Sequence, residues 1–80
     1  MREEIRIAIT INDQEIEVPL ILEKSGYIYR FLLIDDSKEI FFEPDEEGTY
    51  RAIVKENDQV NERLKLIIAS VGKEINLHFS

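Results

Sequence analysis

Four isoleucines at alternate positions, Ile5, Ile7, Ile9 and Ile11, are followed by Asn12-Asp13 and then by Ile16, Val18, Leu20 and Leu22, again at alternate positions. A helix would scatter these side chains around its circumference, whereas an extended strand puts each set on one face. Two such runs joined by a turn-prone Asn-Asp pair specify an amphipathic β-hairpin. A hairpin with one oily face needs a second layer to cover that face, so the rest of the chain is constrained to supply one.

Further turn signals follow at short intervals, at Lys24-Ser25-Gly26, at Asp35-Asp36-Ser37 and at Pro44-Asp45-Glu46-Glu47-Gly48, with runs rich in Ile, Val, Tyr and Phe between them. The spacing leaves no room for crossover helices, so neighbours in sequence are expected to be antiparallel neighbours in space. Strands are expected near 3–11, 15–23, 27–34, 38–43 and 49–54. A two-residue loop at Asn12-Asp13 sets Ile9 opposite Ile16, Ile7 opposite Val18 and Ile5 opposite Leu20. Closing the next turn with Leu22 opposite Tyr27 sets Val18 against Phe31, and the third turn then brings Phe31 to Ile40 and Tyr29 to Phe42. Tyr27, Tyr29, Phe31, Phe42 and Tyr50 would share the inner face, with Ala52 and Val54 continuing it beyond Gly48.

From Asn57 the apolar period changes. Val60, Leu64, Ile67, Ile68, Val71 and Ile75 recur at steps of three and four, the stripe of an amphipathic helix. A helix is expected over about 58–77, capped by Asn57 or Asp58, with Glu62, Arg63 and Lys65 on its outer side. Gly72 is unfavourable inside a helix, and Ile75, Leu77 and Phe79 also alternate. A helix ending at Gly72 followed by a sixth strand over 73–79 is therefore the alternative. The fold class is α+β: a five-stranded antiparallel meander with one C-terminal helix packed on one face, all eighty residues forming one domain.

Charge narrows the partners. The net charge is −7, and residues 1–54 hold thirteen acids against six bases whereas residues 55–80 hold four of each. An acidic surplus repels phosphates, so neither nucleic acid nor an anionic membrane is an expected partner. No apolar run approaches the roughly 18 residues of a membrane span, nor is there a leader-like segment after Met1, so a cytoplasmic setting is expected. The chain has no cysteine and one histidine, His78.

The side chains capable of chemistry are dispersed. The acidic turn Glu43-Pro44-Asp45-Glu46-Glu47-Gly48 collects carboxylates without the spacing of a calcium loop. Turns also gather Asp, Pro and Gly for backbone reasons. His78 has no nucleophile at a recognisable spacing, and Ser25, Ser37, Ser70 and Ser80 stand outside any Gly-x-Ser-x-Gly context. The glycines form no phosphate loop. No catalytic residue, metal ligand or cofactor site is expected.

One helix covers only one face of a sheet. On the other face Ile21, Ile28, Leu32, Ile34, Phe41 and Ile53 are expected to point to solvent, diluted by Arg30, Glu39 and Arg51. A contiguous apolar patch of this kind marks a contact surface. The expected function is that of a non-enzymatic accessory or protein-interaction domain, self-associating as a homodimer or binding a protein partner through this face or a free strand edge. A small apolar ligand held between helix and sheet is the alternative.

The run Phe42-Glu43-Pro44-Asp45-Glu46-Glu47-Gly48-Thr49-Tyr50-Arg51 resembles short uncharacterised bacterial proteins of the Bacteroidota kind. Those proteins combine a strand meander, an acidic turn before a Tyr-Arg strand, and a C-terminal helix. The resemblance implies that architecture and a bacterial origin, and it implies no activity, cofactor or catalytic residue.

Overall fold

The computed structural model describes residues 2–35, 37–54 and 60–79. Five strands, β1 (Arg2–Ile11), β2 (Gln14–Ser25), β3 (Ile28–Asp35), β4 (Lys38–Pro44) and β5 (Tyr50–Val54), precede one helix, α1 (Glu62–Phe79). The strands form a single antiparallel sheet in the order β1-β2-β3-β4-β5, and α1 lies across one face. This is the α+β meander that the alternating and helical periods specify.

Asn12 and Asp13 both take positive φ, 51° and 64°. That pairing of left-handed residues matches the twist of the flanking strands in a two-residue hairpin. The expected register follows, with Ile9 opposite Ile16, Ile7 opposite Val18 and Ile5 opposite Leu20.

The second turn is tighter than the sequence suggests, and the third keeps its length but lies one residue further on. β2 runs on to Ser25, which pairs with Ile28, so the loop is Gly26-Tyr27 with Gly26 at a φ of 63°. Glycine at the first loop position suits this turn because no Cβ opposes the positive φ. Leu22 therefore faces Phe31 and not Tyr27. Tyr27 sits fully exposed in the loop and Tyr29 is 40% exposed, so neither belongs to the core as expected. At the third turn Asp35 pairs with Lys38, and Phe31 meets Phe42 where Ile40 was expected. Both corrections shift the register by an even number of residues, so every side chain that remains in a strand keeps its expected face.

The ladder between β2 and β3 stops at Ile21–Leu32. Hydrogen-bonded pairs alternate from the Ser25–Ile28 end, so the next such pair would need a donor at position 19. Pro19 has no N–H, and there β2 parts from β3.

Glycine at position 72 does not end the helix, which continues to Phe79, so residues 73–79 form no sixth strand. Asn61 caps its start: the Asn61 side-chain oxygen accepts from the Leu64 N–H at 2.7 Å. The helix therefore begins at Glu62, later than the expected 58, and the expected caps Asn57 and Asp58 lie outside the described residues. Leu64, Ile67, Val71 and Ile75 are buried against Leu20, Phe31, Leu33, Ile40 and Phe42. Ala52 shares the helix side of the sheet yet remains exposed on the edge strand.

A Cβ built on Gly72 would lie 3.6 Å from Phe42 Cε1, an ordinary van der Waals contact. Gly72→Ala is therefore expected to stabilise the fold by about 0.5–1 kcal/mol through reduced backbone entropy in the unfolded chain. Chemical denaturation of the two chains measures the difference.

Candidate interaction surface

The face of the sheet turned away from α1 is built in rows, because register aligns one side chain from each strand. One row reads Glu4, Ile21, Leu32, Phe41 and Ile53 across all five strands. A neighbouring row contains Arg2, Glu23 and Arg30, with Glu43 and Arg51 paired beyond them. On the far side of the apolar row stand Pro19 and Ile34.

Each of the expected surface residues lies on this face, with unequal exposure. Ile34 is 53% exposed and Ile53 is 50% exposed, while Ile21 and Phe41 are half-buried. Leu32 departs from expectation, at 5% exposed. It lies on the central strand between Ile21 and Phe41, whose side chains close over it without any help from a second layer. Ile28 is 53% exposed but pairs with Ser25 at the end of the hairpin, away from Ile21, which pairs with Leu32. The row of Glu23 and Arg30 separates it from the other apolar residues.

That charged row is tied together. Glu23 takes Arg2 Nε at 3.3 Å on one oxygen and Arg30 Nε at 3.4 Å on the other. The second contact misses hydrogen-bond geometry, leaving Arg30 Nε without a hydrogen-bond partner, so it acts as an ion pair alone. The Arg30 guanidinium also stacks 4.6 Å from the centre of the Phe41 ring. It thereby fixes one wall of the apolar row.

Where β2 and β3 part at Pro19, the surface is dented. Glu4, Pro19, Leu20, Ile21, Leu32 and Ile34 line a hollow of about 220 Å³ beside the apolar row. Sequence reading singled out the apolar residues and missed the hollow, although a proline inside an alternating run is its signal.

The acidic turn uses its carboxylates structurally. Asp45 Oδ1 accepts from the N–H groups of Glu47 and Thr49 at 2.9 and 3.0 Å, and Oδ2 accepts from Arg51 Nε at 2.7 Å. Gly48 closes the turn at a φ of 86°. Among the described residues no three His, Cys, Asp or Glu side chains converge on a point that could hold a metal ion. The hydrogen bond from Arg51, opposed by desolvation and aided by the Thr49 and Glu47 N–H groups, holds the Asp45 carboxyl below its usual 3.8. A lowered folded value means that the pairing stabilises the fold above the unfolded value and is lost as pH falls through the folded one. Asp45→Asn is thus expected to flatten the fall of Tm below about pH 4, read from thermal melts of both chains across the acid range.

His78 lies 3.3 Å from Glu74 on the border of α1 that faces β1. The pair borders a groove of about 490 Å³ whose other walls are Ile5, Arg6, Ile7, Ala8 and Phe79, none of which offers a nucleophile. Asn76, which sequence reading did not single out, points from α1 to the edge of β5. Its Oδ1 accepts from the Tyr50 N–H at 2.7 Å and its Nδ2 donates to the Tyr50 carbonyl at 3.2 Å. The Tyr50 hydroxyl in turn donates to the Tyr29 carbonyl at 3.0 Å, and burial pushes the Tyr50 phenol above its usual pKa.

No helix among the described residues is long and apolar enough to cross a membrane. Comparison with protein-family models, with curated proteins and with solved structures gave no match.

Proposed function

We propose that this chain is a small non-enzymatic interaction domain of the bacterial cytoplasm that binds a protein partner through the sheet face opposite α1. The observation that carries the reading is the row Ile21, Leu32, Phe41 and Ile53 running beside the hollow at Pro19 and Ile34. An apolar strip next to a hollow sized for one large side chain, rimmed by Arg30, Glu23 and Glu4, has the layout of a contact with a buried anchor and a polar rim. The net charge of −7 speaks against nucleic acid as the partner.

The apolar-ligand alternative receives less support. Leu20, Phe31, Ile40, Phe42, Leu64, Val71 and Ile75 are each under 2% exposed and fill the space between helix and sheet. The larger groove, about 490 Å³, opens at the border of that layer, between Ile5 and Ile7 of β1 and Glu74, His78 and Phe79 of α1.

The test is capture from a bacterial lysate by the wild-type chain and by Ile34→Lys/Ile53→Lys, whose altered side chains are half-exposed and not needed by the core. A protein held by the wild type, lost from the double variant, and binding the purified wild type at a fixed ratio supports the reading. Equal capture by both chains contradicts it.

A further inference from the structure

The two edges of the sheet are treated differently. β5 is five residues long, and the outward backbone groups of Tyr50 are already taken by the Asn76 amide, which stands where a sixth strand would otherwise hydrogen-bond. β1 is ten residues long, and nothing among the described residues pairs with its outer edge. The two-residue hairpin makes Ile11–Gln14 a hydrogen-bonded pair, so alternate residues back from it face β2. The N–H and C=O groups of Arg2, Glu4, Arg6, Ala8 and Thr10 are then the ones directed away from the sheet. No proline or glycine interrupts this edge, and the groove lined by Ile5, Ile7 and Phe79 runs beside it. Proteins usually blunt an edge of this length, since it is a template for another strand.

We propose that β1 pairs with β1 of a second copy of this chain, antiparallel and centred on Ile5, joining two sheets into one. The choice of occupant rests on charge. Centring on Ile5 sets Glu4 of each copy opposite Arg6 of the other and Arg2 opposite Ala8. Opposite charges facing each other across a strand pair are favourable, and like charges directly opposite are not. Centring on Glu4 sets Glu4 against Glu4 and Arg2 against Arg6, and centring on Arg6 sets Arg6 against itself. Only the Ile5 register brings both Glu4–Arg6 pairs together while keeping the outward backbone groups aligned. Within one copy Arg6 reaches Glu4 only at 4.0 Å and Glu17 at 3.5 Å, both pairs being well exposed. The side chains are therefore available for re-pairing at little cost. A two-fold axis through Ile5 brings the half-buried Ile5 side chains together beside the groove of each copy. It also leaves both helices on one side and both apolar rows on the other. The edge shares Glu4 with the rim of the outer face, but the self-association inferred here does not depend on a partner bound to the apolar row.

The test is sedimentation of the full chain over micromolar to millimolar concentration. A monomer–dimer equilibrium is expected in the wild type. Glu4→Arg and Arg6→Glu, each creating two like-charge crossings, are expected to weaken it about tenfold. The double variant Glu4→Arg/Arg6→Glu is expected to restore it, and Ile34→Lys/Ile53→Lys to leave it unchanged. A monomer at all concentrations, a dimer indifferent to the single reversals, or a folded double variant that stays monomeric would overturn the proposal. Should a reversal compromise folding, amide exchange of the wild type decides the matter. The Glu4, Arg6 and Ala8 amides slow with rising concentration if β1 pairs, and exchange at one rate throughout if it does not.

Discussion

Phe31→Ala is expected to cost about 3–5 kcal/mol, the usual range for emptying a buried aromatic site. A chain of eighty residues has a total stability of only roughly 4–12 kcal/mol, so the variant loses about a quarter of it or more. The loss is concentrated there because Phe31 is fully buried on the central strand, between Leu22 and Phe42 in the register. Its ring meets the Tyr50 ring edge-on at 5.5 Å and the Phe79 ring at 4.9 Å, so it joins the sheet to the end of the helix. Ile53→Ala, on the opposite face and half-exposed, is expected to cost under about 1 kcal/mol. Urea denaturation followed by circular dichroism compares the two. Similar costs for both would mean that the helix side of the sheet is not the core.

Asn76→Leu is expected to cost about 2–3 kcal/mol even though it preserves size and adds apolar surface. The substitution removes both hydrogen bonds to the Tyr50 backbone in a partly buried position, leaving a donor and an acceptor unpaired. Leaving such groups unmade costs more than making them gains. The variant should also loosen the last turn of α1 over β5, seen as faster exchange of the Tyr50 amide. An Asn76→Leu chain as stable as the wild type would mean that water replaces the side chain freely at that edge.

Periodicity carried most of the architecture. The alternation around Asn12-Asp13 determined the first hairpin to the residue, since burial of one face and a two-residue turn each permit only one register. The second and third turns were less legible. Gly26-Tyr27 closes tightly because glycine accepts a positive φ, yet the four-residue loop over 23–26 that sets Leu22 opposite Tyr27 satisfies the same face parity. Alternation fixes which side a residue faces and leaves its partner open to shifts of two or four. Tyr27 shows the consequence: an aromatic on the correct parity can still fall in the loop. At the other end of the chain, Gly72 and the alternation of Ile75, Leu77 and Phe79 suggested a break. Helical packing of Val71 and Ile75 on the sheet outweighs the propensity of one glycine.

The candidate surface was legible as a set of residues and not as a shape. Which side chains leave the helix face follows from parity, but Leu32 is covered by its strand neighbours and Ile28 is cut off by Glu23 and Arg30. The hollow at Pro19 depends on a missing donor, a fact about one atom that apolar patterning does not register. Asn76 was hidden for a similar reason. A polar residue at the border of an apolar stripe looks like surface until the strand edge it meets is located.

One edge of the sheet is held by the helix. In β5, the amides of Tyr50 and Ala52 both point off the sheet, and only Tyr50 meets Asn76. Hydrogen exchange of these two amides by NMR is therefore the direct measurement. Exchange of Tyr50 at the slow rate of the Phe31 and Phe42 amides, with Ala52 fast, is the predicted result. Tyr50 exchanging as rapidly as Ala52 would contradict it.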